Sequence, residues 1–395
     1  MPESPGQERV YLPELDGLRF FAFLLVFGFH GGLPWISDLL SLVTLPLFAA
    51  STLIGPVVSE WVAMIGPRVG NAVNMNGWVG VQLFFVLSGY LITTLLLREE
   101  ERYGRVDLKA FWMRRILRIW PLYYLTVALT FFVLPAIDGR IHVAGHRSMV
   151  RLHLPNFLAY LGNWSMIRRG AVGDDAVSVL WSVCVEEQFY VVAPLIVVLV
   201  GRRWRLAVVA GLMAGSVGTR AWLARGSPDQ MMIQYNTLTQ LDTMLSGVAL
   251  ALIGGGRDAR RSWGWAVAAL CLFVLGKSEL GHIRPINQVW DFVLVWVGSV
   301  GLVWVATRGN GRFRRILADP RLVWLGRISY GLYMLHEVAF WATRRVASRP
   351  WARDLPLNLI ALGLTVGLAS ASYYGVERPF LRLKRRWTRV PSRPV

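Results

Sequence analysis

Long apolar runs alternate with short arginine-rich segments along the chain. A helix needs about 20 apolar residues to cross the hydrocarbon core of a bilayer, because it rises about 1.5 Å per residue. Backbone groups in lipid must form their hydrogen bonds within the protein, so each run is predicted to be a transmembrane helix. Ten runs qualify: 17–36, 77–97, 119–137, 180–200, 205–224, 239–255, 263–278, 289–307, 323–342 and 357–377.

This pattern predicts an all-α fold, a polytopic helix bundle of about ten transmembrane helices. The apolar segment 37–76 is broken by three prolines and is predicted to be a re-entrant or interfacial insertion. It belongs to a predicted transmembrane domain of residues 17–380. Residues 1–16 are predicted to form a cytoplasmic N-terminal tail, and residues 381–395 a basic cytoplasmic tail.

The composition and the distribution of basic residues are those of a membrane protein. The 395 residues include 42 Lys and Arg against 24 Asp and Glu, yet 54% are hydrophobic and only 17% are charged. Soluble domains carry about 25% charged residues, so a soluble nucleic-acid binder is excluded. With a cytoplasmic N-terminus, about two thirds of the basic residues fall in cytoplasmic segments, as the positive-inside rule requires. Both termini are therefore predicted to be cytoplasmic.

The first span carries an ionisable side chain at membrane depth. His30 follows Arg19 by about three helical turns, so the two share one helix face roughly 16 Å apart. Ionisable groups within a membrane are costly and are functional candidates by default. Glu186, counted from the opposite membrane surface, reaches a similar depth. We predict that Glu186 orients His30 as a catalytic base, with its neighbour Glu187 as the other candidate; capping of a helix N-terminus is the alternative interpretation.

Three arginines precede the third span. Arg115 and Arg118 share one helix face, and Arg114 lies beside them. Such a pair is typical of a phosphate site and equally of a positive-inside anchor, and the spacing does not separate the two. The sequence has no recognised metal-binding motif, so no metal site is predicted. Further site candidates, with hydrogen bonding between helices as the alternative role, are Asp16, Asp242, Tyr330 and His336.

Six motifs in consistent order resemble the membrane-bound acyltransferase 3 family, whose members O-acylate sugars. They run from Leu15 to Phe380, and each is weak alone but their order is specific. The resemblance implies a multi-pass protein of the bacterial cytoplasmic membrane with a ten-helix domain. The motifs are LDGLRFFAFLLVFGFH, GWVGVQLFFVLSGYLI, RRILRIWPLYYL, LWSVCVEEQFYVVAPL, ISYGLYMLHE and VERPF.

The resemblance also implies a reaction. An acyl group, commonly acetyl, passes from cytoplasmic acyl-CoA to a carbohydrate hydroxyl at the outer face of the cytoplasmic membrane. His30 matches the essential histidine of the first motif, and Glu186 matches the acidic position of the fourth. Arg115 and Arg118 match the arginine pair and, with Arg19, are expected to hold the CoA phosphates. We expect the transfer to be completed within this domain or with a partner.

Several alternatives remain open at this stage. The acceptor is either a cell-surface polysaccharide or a sugar of a secondary metabolite such as a macrolide. His30 acts either as a base or as a covalent acyl carrier. A different function would be a proton-coupled transporter that uses His30, Asp242 and His336 as a relay. A homodimer is the assembly considered beside a monomer, and the sequence does not choose between them.

Overall fold

The computed structural model describes residues 11–31, 77–140, 142–170, 172, 175–226, 230–254, 285–308, 311–346, 355–388 and 390. Within these ranges the chain forms helices and no strands, which confirms the all-α prediction. The predicted insertion 37–76 and the predicted span 263–278 lie outside the described residues.

The described helices longer than four residues are numbered here in chain order. They are α1 (Pro13–Gly31), α2 (Trp78–Tyr103), α3 (Leu108–Ala128), α4 (Ala144–Leu158), α5 (Gly162–Arg169), α6 (Leu180–Leu199), α7 (Arg205–Gly226), α8 (Gln230–Gln234), α9 (Thr237–Ile253), α10 (Pro285–Arg308), α11 (Arg312–Leu317), α12 (Pro320–Arg327), α13 (Ser329–Val346), α14 (Leu355–Ser372) and α15 (Arg378–Lys384). A π-helical turn, Leu129–Val133, continues α3 toward Ile137, and another, Tyr373–Glu377, joins α14 to α15.

Six helical stretches in the described residues are long and apolar enough to cross a bilayer. This property identifies a membrane protein, because soluble domains do not carry so many long apolar helices. The number of ten spans and the cytoplasmic termini stay predictions. The six stretches are Trp78–Tyr103, Leu108–Ile137, Ala176–Leu199, Arg202–Gly226, Val289–Arg308 and Leu357–Trp387.

Three other predicted spans correspond to helices that are shorter or more charged. Helix α1 carries three charged residues, and α9 has only 17 residues. The predicted span 323–342 is not one helix, because the chain breaks at Ile328 between α12 and α13. Gly326 lies directly against α1 at this break: an added Cβ would lie 1.8 Å from the carbonyl oxygen of Asp16. The break lets α12 pack against the start of α1 while α13 packs along its length.

Local signals in the sequence account for several helix ends. Asp107 caps α3 by accepting a hydrogen bond of 2.9 Å from the Ala110 amide, and Asn236 caps α9 in the same way. Helix α2 ends at Gly104, which adopts a φ of +70° that favours glycine. The turn at Gly104 thus brings the start of α3 near the end of α2, where Arg114 pairs with the Glu99 carboxylate.

The predicted tails are partly folded. The last residues of the segment 1–16 belong to α1, and residues 381–387 form the end of α15 and a 3₁₀ turn. Arg114 fixes this turn, because its guanidinium donates to the carbonyl oxygen of Trp387 at 2.7 Å and to the Glu99 carboxylate at 2.9 Å. Residues up to Trp387 are therefore packed against α3, so the first part of the predicted basic tail 381–395 is folded, while its cytoplasmic location stays a prediction.

Candidate active site

The three arginines that were predicted to bind the donor lie together at the boundary of two cavities. Arg19 from α1 and both Arg115 and Arg118 from α3 line each cavity, so the cavities adjoin at these side chains. The helical spacing explains why Arg115 and Arg118 face the same way. Their meeting with Arg19 follows from the packing of α1 against the bundle.

The first of these, here called the aromatic cavity, contains about 660 Å³ of empty space, open solvent included. It lies among α1, α2, α3, α6 and α13, and aromatic rings form much of its wall. Glu186 is its carboxylate, and Ser88, Ser182 and several tyrosines add hydroxyl groups. The lining residues are Arg19, Val81, Phe84, Phe85, Ser88, Arg115, Arg118, Ile119, Ser182, Val183, Glu186, Tyr190, Ser329, Tyr330 and Tyr333.

The second, here called the basic cavity, contains about 700 Å³ of empty space, open solvent included. Five of its lining residues are cationic and one, Asp16, is acidic, so its electrostatic potential favours an anion. The cationic residues are Arg19, Arg98, Arg115, Arg118 and Lys384. An apolar and aromatic compartment that continues from a strongly basic one suits an elongated molecule with an anionic end and a less polar end.

Local contacts hold two of the shared arginines. Arg19 pairs with the carboxylate of Asp16 at 3.7 Å, and Asp16 also accepts a hydrogen bond of 2.8 Å from the Tyr11 hydroxyl. The Arg115 guanidinium lies 5.5 Å from the centre of the Tyr190 ring. Within the part of the chain that the structure describes, the buried Nε of Arg115 has no hydrogen-bond partner. Arg115 therefore keeps donor capacity for a ligand.

Lys384 is a site residue that the sequence did not reveal. It lies in the segment predicted to be a basic cytoplasmic tail, far along the chain from the three arginines. It reaches the basic cavity because Arg114 anchors the following turn to α3. Arg114 itself is paired with Glu99 and does not line either cavity, so the structure gives this predicted candidate an anchoring role.

His30 lies in a cluster with two residues of α13. Its Nδ1 is 3.2 Å from Nε2 of His336 and 3.7 Å from Oε1 of Glu337. His336 is fully buried, and Glu337 is nearly so. The Nδ1 atom of His336 lies 2.6 Å from the carbonyl oxygen of Tyr333. The sequence placed His336 among the candidates, and the structure brings it into direct contact with His30.

The predicted contact between His30 and Glu186 is not formed among the described residues. The carboxylate of Glu186 instead accepts hydrogen bonds from the hydroxyl groups of Ser88 and Tyr190, in the wall of the aromatic cavity. The prediction used depth alone, and equal depth does not fix which helix faces His30. Helix α13 occupies that position.

Tyr333 connects the aromatic cavity to the histidine cluster. Its side chain lines the cavity and its hydroxyl lies 2.6 Å from the Ser182 hydroxyl. Its ring centre is 5.7 Å from that of His336, one turn further along α13. His30 lines neither cavity; it contacts His336, whose ring packs against the ring of Tyr333 in the cavity wall.

The remaining candidates have other partners. The carboxylate of Glu187 accepts a hydrogen bond of 3.0 Å from Trp120 Nε1, and the Tyr330 hydroxyl donates to the Ile119 carbonyl oxygen at 2.9 Å. Asp242 forms a fully buried ion pair with Arg220 at 2.6 Å. This pairing gives Asp242 a structural contact between α7 and α9 in place of the relay that the transporter alternative requires.

The three donor atoms of the histidine cluster lie close enough together to consider a metal ion. Nδ1 of His30, Nε2 of His336 and Oε1 of Glu337 lie within 4.8 Å of one another. However, His30 Nδ1 is also 3.1 Å from the carbonyl oxygen of Val26, which can only accept a hydrogen bond. A ring nitrogen that donates to a carbonyl carries a hydrogen and has no lone pair for a metal. The donor set thus fits hydrogen bonding better than metal ligation.

The chain is similar to a known protein domain and to several curated proteins. The sequence profile described as an acyltransferase domain matches residues 12–374, which is nearly the whole chain. The chain is 25% identical to the O-acetyltransferase OatA of Staphylococcus aureus, over 93% of this chain and 57% of that protein. It is 26% identical to a provisionally named peptidoglycan O-acetyltransferase, YrhL of Bacillus subtilis, over 94% and 55%.

The length of the match differs between the chain and these relatives. The chain spans little more than half of the length of the curated relatives that it matches. No solved structure is detectably similar to the chain.

Proposed function

The chain belongs to the acyltransferase 3 family, and from this membership we propose that it is a membrane O-acyltransferase. It moves an acyl group, in the first instance acetyl, from acyl-CoA to a hydroxyl of a carbohydrate. The observation that carries this proposal is the convergence of Arg19, Arg115 and Arg118 on two adjoining cavities, one basic and one aromatic.

The basic cavity suits the donor. CoA carries several phosphate groups, and guanidinium groups bind phosphate through paired hydrogen bonds. Arg115 and Arg118 supply two such groups on one helix face, and Lys384 adds a flexible ammonium. The pantetheine arm is less polar and would extend into the aromatic cavity toward Tyr333. We therefore assign the donor to these two cavities.

His30 supplies the transfer chemistry in this proposal. As a base it takes the proton of the acceptor hydroxyl while the oxygen attacks the thioester carbonyl and the CoA thiolate leaves. As a carrier it accepts the acyl group on its ring before passing it to the acceptor. Both routes need an unprotonated ring nitrogen. Glu186 is proposed to balance the arginine charge in the aromatic cavity.

The acceptor is proposed to be a cell-surface polysaccharide. The names of the relatives, one of which refers to peptidoglycan, favour this class over a secondary-metabolite sugar. Transfer across the bilayer then requires a multi-pass protein in the bacterial cytoplasmic membrane, with acyl-CoA entering from the cytoplasm and the acceptor at the outer face.

Acetyl transfer from radiolabelled acetyl-CoA in membranes tests this function. We expect His30→Ala to abolish transfer of label to the polysaccharide. Arg115→Ala should raise the KM for acetyl-CoA at least tenfold, because a hydrogen bond to a charged group contributes about 1.5–3 kcal/mol. Arg105→Gln, an exposed arginine outside both cavities, is the matched control. Full transfer by His30→Ala would contradict the proposed chemistry.

A further inference from the structure

The hydrogen positions in the histidine cluster follow from the acceptors that surround it. The Tyr333 carbonyl oxygen, 2.6 Å from Nδ1 of His336, can only accept, so this Nδ1 carries the hydrogen. In the neutral ring the Nε2 of His336 is then an acceptor. It lies 3.2 Å from Nδ1 of His30, which must therefore be the donor.

A second acceptor gives the same answer for His30. The carbonyl oxygen of Val26, one turn earlier on α1, lies 3.1 Å from the same Nδ1. Two independent acceptors thus place the hydrogen of the neutral ring on Nδ1, and the lone pair is left on Nε2. Both routes of the proposed transfer can use this lone pair, which takes either a proton or the acyl carbon.

The carboxylate of Glu337 lies near the positive charge that forms on the His30 ring during the reaction. Its Oε1 lies 3.7 Å from Nδ1 of His30 and 3.8 Å from Nε2 of His336, and its side chain is 2% exposed. A negative charge at this distance is effective where water is excluded. The cation closest to His30 on α13 is Arg344, whose guanidinium lies 3.4 Å from the His30 carbonyl oxygen and is exposed to solvent.

The rest of this environment is mostly aromatic. The ring of Phe29 on α1 packs edge-on against His30, and the rings of Phe23 and Phe340 pack against His336. Among the described residues, the titratable and charged groups next to the two histidines include Tyr333, Glu337 and Arg344 of α13.

We propose that His336 and Glu337 are positioning residues for His30: His336 holds the tautomer with an unprotonated Nε2, and Glu337 stabilises the imidazolium. This inference deepens the proposed function and rests on it. In the base route, the acceptor O–H proton moves to His30 Nε2 as the new C–O bond forms. The C–S bond then breaks, and the CoA thiolate takes the proton from the imidazolium. His336 and Glu337 touch neither substrate in this sequence.

Variants of similar volume separate this role from simple packing. His336→Gln keeps an acceptor near the position of Nε2, whereas His336→Met fills the space without one. We expect His336→Met to lower kcat about tenfold with the KM for acetyl-CoA within about twofold, because the Val26 carbonyl alone then holds the hydrogen on Nδ1 and more of the ring takes the tautomer that cannot act as the base. His336→Gln should recover most of that loss. Glu337→Gln should lower kcat about tenfold.

A control on the same helix accounts for effects of folding. Thr343 is buried in α13 and its hydroxyl bonds to carbonyl groups of its own helix, so Thr343→Val should keep the wild-type kcat. Equal kcat in His336→Met and His336→Gln would overturn the proposal. If His30→Ala is inactive while His336→Met is as active as wild type, the positioning role fails and the proposed function stands.

A spectroscopic measurement tests the tautomer without any activity. The protein is labelled with ¹⁵N-histidine, and the His30 signals are assigned by their loss in His30→Gln. We expect a protonated Nδ1 and an unprotonated Nε2 in the wild type, with more of the other tautomer in His336→Met. A predominant Nε2–H tautomer in the wild type would overturn the inference. So would bound zinc at one equivalent that is lost in both His30→Gln and His336→Met.

Discussion

At the scale of single residues, neighbouring arginines of one motif have different tasks. Arg114 is held by the Glu99 carboxylate and the Trp387 carbonyl, while Arg115 faces the cavities against the Tyr190 ring. Adjacent residues of a helix point about 100° apart, so they meet different neighbours. The spacing in the sequence gave the shared face of Arg115 and Arg118, but it could not assign Arg114 to an anchor because its partners lie far away in the chain.

The same limit applies to the partner of His30. Depth along two helices predicted Glu186, and the structure places His336 and Glu337 there instead. A depth count fixes one coordinate of a side chain within the membrane. The direction of the side chain around the helix axis, and the helix that packs on that side, are set by tertiary contacts.

His153 on α4 gives a prediction of pH-dependent stability. Burial lowers the pKa of this histidine, with a smaller contribution from the positive charge of Arg169. Since the unfolded chain takes up a proton more readily, the folded state loses stability as the pH falls below the unfolded pKa of about 6.5. The melting temperature in detergent should fall between pH 7 and pH 5.

The control for this prediction is His153→Gln, which cannot titrate but keeps a polar group near Ser165. We expect the variant to show a smaller decrease in melting temperature over the same pH range. An identical decrease in both proteins would exclude His153 as its source.

At the scale of helices, small residues allow α2 and α9 to approach closely. An added Cβ at Gly89 would lie 2.0 Å from the Met244 carbonyl oxygen, and one at Gly247 would lie 2.1 Å from the Val86 carbonyl oxygen. Small residues at these positions are typical of close contacts between membrane helices. The contact also places the hydroxyl of Ser88 at the aromatic cavity.

Gly89→Ala tests this packing. The added methyl group meets backbone atoms that cannot move independently, so we expect a loss of about 1–3 kcal/mol in the free energy of unfolding. Gly363→Ala in α14 is the matched control, because an added Cβ there meets no atom within 4 Å. Alanine is the better helix former, so this control should be neutral or stabilising. Equal stability of both variants in detergent would contradict the close contact.

At the scale of the whole molecule, both ends of the chain contribute to one site. Arg19 comes from α1, Arg115 and Arg118 from α3, and Lys384 from α15. The family profile ends at residue 374, before Lys384. Docking of α15 onto α3 is what adds this cation to the cavity.

Lys384→Gln should therefore weaken the donor site without changing the reaction. We expect a several-fold increase in the KM for acetyl-CoA and an unchanged kcat, since a charge that binds donor and transition state equally affects only KM. Arg382→Gln, an exposed position on the same helix, is the control and should keep the wild-type KM. A KM for Lys384→Gln equal to that of the control would remove Lys384 from the donor site.

The sequence by itself determined the helical class, most helix positions in the described residues and the identity of His30, Arg19, Arg115 and Arg118 as site candidates. These features depend on hydropathy, helical periodicity and motif order, all of which can be read from the linear sequence without tertiary contacts. The tertiary structure decided the break at Ile328, the ion pair of Asp242 and the recruitment of Lys384. It also chose α13 as the partner of His30, because helix packing is set by shape and contacts between segments distant in sequence.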